Sequence, residues 1–125
     1  DSSDDSVVVV TKDKNEKIKQ IIYFDFDKSI LTNINLEEIK DFLTKHKSKI
    51  AKYLIVGHTD TKGTNEYNLK LSLNRAITVQ NILIEYGINK NDIKIIAKGE
   101  NELSVQTNDE VAHPANRRAE ISSIN

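Results

Sequence analysis

The sequence predicts an α+β sandwich, a β-α-β-α-β-β chain with two main helices packed on one face of a small mixed sheet. Three observations carry this reading. Apolar residues keep helical spacing twice, through Leu36, Ile39 and Leu43, and through Leu69, Leu73, Ala76, Val79, Ile82 and Leu83. Short β-prone runs flank and separate these stretches, and the last, Arg117 to Ile124, alternates polar and apolar through Ala119 and Ile121. The chain has 125 residues, enough for one domain and too few for two comfortable ones.

Residues 1–19 read as an acidic and polar leader, in which only Val7 to Val10 could form an edge strand. The domain proper is expected over 20–125, so removal of 1–19 should leave folding nearly intact. Gln20 to Phe24 is a short apolar run and predicts the first strand. Asp25 to Thr32 is a loop, with Phe26 and Leu31 as anchors. The first helix is expected to start with Asn35 as N-cap, Glu38 closing a capping box and Ile34 stapled to Ile39, and to end near Ser48. Tyr53 to Val56 predicts the second strand. Gly57 to Asn65 is dense in turn formers, and the longest helix follows from about Glu66 to Tyr86, stopped by Gly87. Asp92 to Ala97 predicts the third strand, and Gly99 to Ala115 a long irregular segment before the fourth.

Composition narrows the function classes. Apolar residues make up 38% and charged residues 30%, a soluble globular profile. The formal charge is −1 and the pI about 6.3. Such a balance argues against a general nucleic-acid binder, which needs a basic face. No apolar run approaches the roughly 18 residues that span a bilayer. With no signal peptide visible, the expectation is a cytosolic chain or the trimmed form of an exported one. Cysteine is absent, which excludes disulfides, thiolate zinc sites and cysteine nucleophiles. Of the 18 basic residues only Arg75, Arg117 and Arg118 are arginine. Where lysine is the default cation, each arginine marks a place that can use a planar, forked donor.

Most of the chemistry-bearing residues lie between Gly57 and Arg75. Asn68, Ser72 and Arg75 share one helix face, which looks either to solvent or to a ligand. Asp60 either satisfies its own turn or stands with Arg75 at one cleft, an anion and a forked cation suited to a ligand bearing ammonium and carboxylate. His58, Asp60 and Ser72 invite a catalytic-triad reading, but no nucleophile elbow or oxyanion loop accompanies them. His46, His58 and His113 lack metal-ligand spacing, and the four glycines form no phosphate cradle. Neither a cofactor nor a metal is expected, and an enzyme has little support.

Gly57-His58-Thr59-Asp60-x-x-Gly63-x-x-x-Tyr67-Asn68-x-x-Leu71-Ser72-x-x-Arg75-Ala76-x-x-Val79 resembles the signature of the OmpA-like domain family. Asn116-Arg117-Arg118-Ala119-Glu120-Ile121 resembles the family's second motif and Lys98-Gly99-Glu100 its third. Tyr23-Phe24-Asp25-Phe26-Asp27-Lys28 resembles its opening strand and loop, in the form seen in the family's peptidoglycan-associated lipoproteins. The resemblance covers about 20–124.

It implies a non-catalytic periplasmic domain that binds peptidoglycan and tethers the outer membrane to the wall. The implied partner is the peptide stem. Asp60 would hold the ammonium and Arg75 the carboxylate at the free end of meso-diaminopimelate, with Asn68 beside them. Phe24, Thr59 and Leu71 would wall the pocket, and Asn116 with one of Arg117 and Arg118 would lie near. Two neighbouring residues on a strand point to opposite faces, so only one of those arginines should face the ligand. Arg75→Lys should then fold with near-normal stability and bind at least about tenfold more weakly. Periplasmic proteins of the Tol system would be partners if the full protein is a lipoprotein. Contact with the membrane would come only through an anchor outside this sequence, and nucleic acid would not be a partner. A stator-type or protein-interaction module of the same fold, serving motility or envelope constriction, is the alternative. The chain departs from the family in lacking a proline after Gly99-Glu100, in His113-Pro114-Ala115 before Asn116, and in having no acylated cysteine.

Overall fold

The computed structural model describes residues 18–124. The strands are β1 (Lys19–Tyr23), β2 (Lys52–His58), β3 (Ile93–Gly99) and β4 (Arg118–Ile124), and the helices α1 (Asn33–His46) and α2 (Asn65–Glu85). The order along the chain is the predicted β-α-β-α-β-β. The sheet order is β1-β4-β2-β3. β4 lies antiparallel to both β1 and β2, while β2 and β3 run parallel.

Period-two alternation sorts the sheet into two faces. Register aligns Ile22 with Ala119, Ile55 with Ile121 and Ile55 with Ile95. These residues join Ile39, Phe42 and Leu43 of α1 and Ala76, Val79 and Leu83 of α2 in one core. Each fully buried aliphatic side chain there contributes about 1.5–3 kcal/mol. Glu120 and Val56 pair on the opposite face.

Three local expectations need correction. Thr32 is the N-cap of α1: its Oγ1 accepts from the Asn35 N–H at 3.1 Å, and Asn35 Oδ1 accepts from the Thr32 N–H at 3.0 Å. Asn35 therefore closes the capping box from the third helical position, and the N-cap stands three residues before the expected one. Ile34 is 74% exposed, so it staples nothing. Lys19 belongs to β1, paired with Ser122, and is not leader. The strand expected at Val7 to Val10 falls outside the described residues.

Gly57 sets the distance between α2 and the sheet. A Cβ there would stand 1.9 Å from the Ser72 carbonyl oxygen, so only glycine allows this approach. The approach brings the first half of α2 against the ends of β2 and β3, where the functional motif lies.

Candidate ligand-binding cleft

The polar face of α2 is turned inward, not to solvent. Asn68, Ser72 and Arg75 are each at most 1% exposed. Ser72 Oγ donates to the Leu69 carbonyl and accepts from the Gly99 N–H at 3.0 Å, which fastens α2 to the end of β3. Asn68 Nδ2 lies within 3.1–3.3 Å of the Asp60 and Lys62 carbonyls and Glu100 Oε1. It thereby shapes the loop that carries Asp60.

Arg75 anchors three backbone carbonyls on two segments, the loop after β1 and the end of β2. Nε donates to the Lys28 carbonyl at 2.9 Å, Nη1 to His58 at 2.9 Å and Nη2 to Asp25 at 3.3 Å. Its guanidinium carbon lies 5.2 Å from the centroid of the Phe24 ring, within cation–π range. Burial lowers its pKa to about 10, opposed by the nearby Asp60 carboxylate. At neutral pH it is still a cation.

Asp60 is 4% exposed. Its Oδ1 accepts from the Lys62 N–H and its Oδ2 from the His113 N–H, both at 3.2 Å. Arg117 Nη1 stands 3.6 Å from Oδ2. Among the described residues no ion pair joins Asp60 to Arg75; both line one cleft instead. Its volume is about 270 Å³, and Phe26, Tyr67, Leu71, Asn68 and Arg117 also line it. The arrangement sets three carboxylates, two guanidiniums and Lys62 beside apolar wall, groups of both signs that can hold a zwitterion on an alkyl chain.

Five residues singled out in the sequence thus meet at the cleft: Asp60, Asn68, Leu71, Arg75 and Arg117. Four do not line it. Phe24 lies beneath Arg75, 4% exposed. Thr59 is buried, its Oγ1 donating to the Asp60 carbonyl and its N–H to Gly99. Asn116 pairs its side-chain amide with the backbone of Val105, 2.8 Å each way, pinning the long loop after β3. Arg118 lies on the sheet face away from the helices, where Nε meets Glu120 Oε2 at 2.6 Å and Nη2 donates to the Glu102 carbonyl. Of the two neighbouring arginines, Arg117 faces the cleft. It shares strand parity with Ala119 and Ile121, and that signal was present in the sequence.

Phe26, Asp27, Lys62, Gly63, Tyr67 and Glu110 complete the lining. Tyr67 had a motif position as its signal. Asp27 had a place in the opening-loop resemblance but no assigned role, and Glu110 had no signal, because it arrives from a loop far away in sequence. Among the described residues they are the two non-glycine positions in the left-handed region, at φ 57° and 59°. Such strain is held where surrounding bonds over-determine it. Tyr67 Oη donates to Asp27 Oδ1, and Glu110 Oε2 accepts from the Gly63 N–H at 2.8 Å.

Comparison with known proteins identifies the family. The sequence model of the OmpA family matches residues 23–117. The chain is 34% identical over 105 residues to a peptidoglycan-associated lipoprotein of Legionella pneumophila, covering 82% of this chain and 58% of that protein. The chain thus spans little more than half the length of that relative. The crystal structure of the peptidoglycan-associated lipoprotein from Burkholderia pseudomallei superposes with a TM-score of 0.68 at 30% identity, covering 82% of this chain and 88% of that one. The C-terminal domain of Helicobacter pylori MotB shares the fold, with a TM-score of 0.70 at 19% identity over 88% of this chain and 85% of that one. A family match across most of the described residues, together with a relative's crystal structure of the same fold at 30% identity, places this chain in the OmpA family, a family of non-catalytic binding domains.

Proposed function

We propose that the cleft binds the peptide stem of peptidoglycan through the distal zwitterion of meso-diaminopimelate. The observation that carries this reading is that Asp60 and Arg75 line one cleft without pairing to each other. Asp60 takes the ammonium, the fixed positive charge of Arg75 draws the carboxylate, and Phe26, Tyr67 and Leu71 cover the methylene chain. Asn68 holds the Asp60 loop in place. Phe24, Thr59 and Asn116 act from behind the cleft, by supporting Arg75, the Asp60 loop and the long loop after β3.

The names of the relatives support the setting. They include peptidoglycan-associated lipoproteins and an outer membrane porin F of Pseudomonas fluorescens. The corresponding role for this chain is a periplasmic domain tethering the outer membrane to the wall, with any anchor and any Tol-system partner belonging to the longer protein.

Calorimetric titration with a stem peptide ending in meso-diaminopimelate tests the reading. The parent should bind it and Asp60→Asn should bind at least about tenfold more weakly, because the amide keeps the shape and loses the anion. Equal affinity of parent and variant would overturn the assignment of Asp60.

A further inference from the structure

The cleft contains two guanidiniums held in different ways. Arg75 is fully buried, and each of its three nitrogens already donates to a backbone carbonyl. Arg117 keeps 15% side-chain exposure and a 3.6 Å ion pair with Asp60, too long for a hydrogen bond. Its Nε donates to the Phe24 carbonyl at 3.1 Å, which tethers the group and leaves its far end able to shift. All three carboxylates of the cleft accept hydrogen bonds, Asp27 from Tyr67 Oη, Glu110 from the Gly63 N–H and Asp60 from the Lys62 and His113 N–H groups, but among the described residues only Asp60 also has an ion pair with a guanidinium. Asp60 with Arg117 therefore copies the charge pair of a zwitterionic ligand.

Resting on the diaminopimelate reading above, we propose that Arg117 is the specificity-determining residue of the cleft. It pairs with Asp60 and passes to the ligand's carboxylate when the ligand's ammonium takes Asp60. The exchange keeps charge balanced, because the zwitterion supplies both missing partners. A lysine stem brings the ammonium alone. It sets two cations on one buried carboxylate, and Arg117 is left beside a like charge with nothing to receive it. Selectivity then rests on a repulsion against the wrong stem as well as an attraction for the right one.

The test is calorimetry on the parent, Arg117→Gln and Arg117→Lys, each titrated with two stem peptides that differ only in meso-diaminopimelate against L-lysine. The parent should prefer the diaminopimelate stem by about tenfold or more, and Arg117→Gln should fall below about threefold as the lysine stem gains and the other loses. Arg117→Lys, with the charge and without the fork, should lie between. If thermal unfolding shows that Arg117→Gln does not fold, Arg117→Lys decides. A folded variant that keeps the parent's ratio overturns the role of Arg117 alone. A parent that binds neither stem, or both equally, overturns the diaminopimelate reading and this role with it.

Discussion

Arg75 Nη1 donates to the His58 carbonyl at 2.9 Å, so a side chain from the middle of α2 fastens the last residue of β2. The same guanidinium holds the Asp25 and Lys28 carbonyls of the loop after β1. Its charge lines the cleft, and its hydrogen bonds build the cleft's floor.

Arg75→Lys should therefore destabilise the fold, contrary to the near-normal stability expected from the sequence. One ammonium cannot reach three carbonyls that a planar fork serves, and each buried acceptor left unmet costs about 1–3 kcal/mol. A loss of about 2–4 kcal/mol is expected, read as the shift of the urea midpoint. A midpoint equal to the parent's would show that the three carbonyls find other partners.

His58 should make the domain acid-sensitive. It is 2% exposed, and burial first, then the nearby Arg118 charge, lower its pKa to about 4. In the unfolded chain it titrates near about 6.5. Between those values the unfolded state binds the extra proton, so stability falls as pH drops from about 6.5 to about 4, by up to about 3 kcal/mol. Glu120 adds to the loss at the acid end. Burial raises its pKa, but hydrogen bonds from Lys19 and Arg118 outweigh that and leave it lowered. Denaturant unfolding at pH 7 and pH 4.5 should show a smaller loss for His58→Gln than for the parent. Equal losses would remove His58 as the cause.

Gly57→Ala should displace α2 from the sheet. The added methyl meets backbone, the Ser72 carbonyl oxygen at 1.9 Å, and no rotamer relieves it. A loss of about 3 kcal/mol or more is expected, at the upper end for overpacking. The Gly99 N–H should lose its Ser72 Oγ acceptor, and its exchange with deuterated water should accelerate. Unchanged exchange at Gly99 would show that α2 stays in place.

Deletion of residues 1–19 should cost more than deletion of 1–17. Lys19 pairs with Ser122 in the sheet and its Nζ lies 2.8 Å from Glu120 Oε1. The Ile18 carbonyl accepts from the Ser123 N–H, and its side chain packs on the core. The longer deletion should be less stable by about 1–2 kcal/mol in thermal unfolding. Equal stabilities would show that β1 can start at Gln20, as the sequence suggests.

The sequence alone determined the element order, because each element writes its own period: 3.6 along the faces of α1 and α2, two along β4, with Gly87 at φ 101° ending α2. It also located Asp60, Asn68, Leu71 and Arg75, which fall within one turn-and-helix motif of sixteen residues, Asp60 to Arg75. Only the tertiary structure decided what those residues face. Thr32 and Asn35 are both competent caps, and the path of the chain into α1 chose Thr32. Asp27 and Glu110 reach the cleft from loops about forty residues away on either side of α2's first turn, a closeness no local period records. Arg75 was legible as a cation beside Asp60, yet its three carbonyl partners come from two separate segments that meet only after the sheet has formed. Local periodicity follows from backbone geometry within a few residues. The partners of a buried charge follow from its need for hydrogen bonds wherever the fold supplies them.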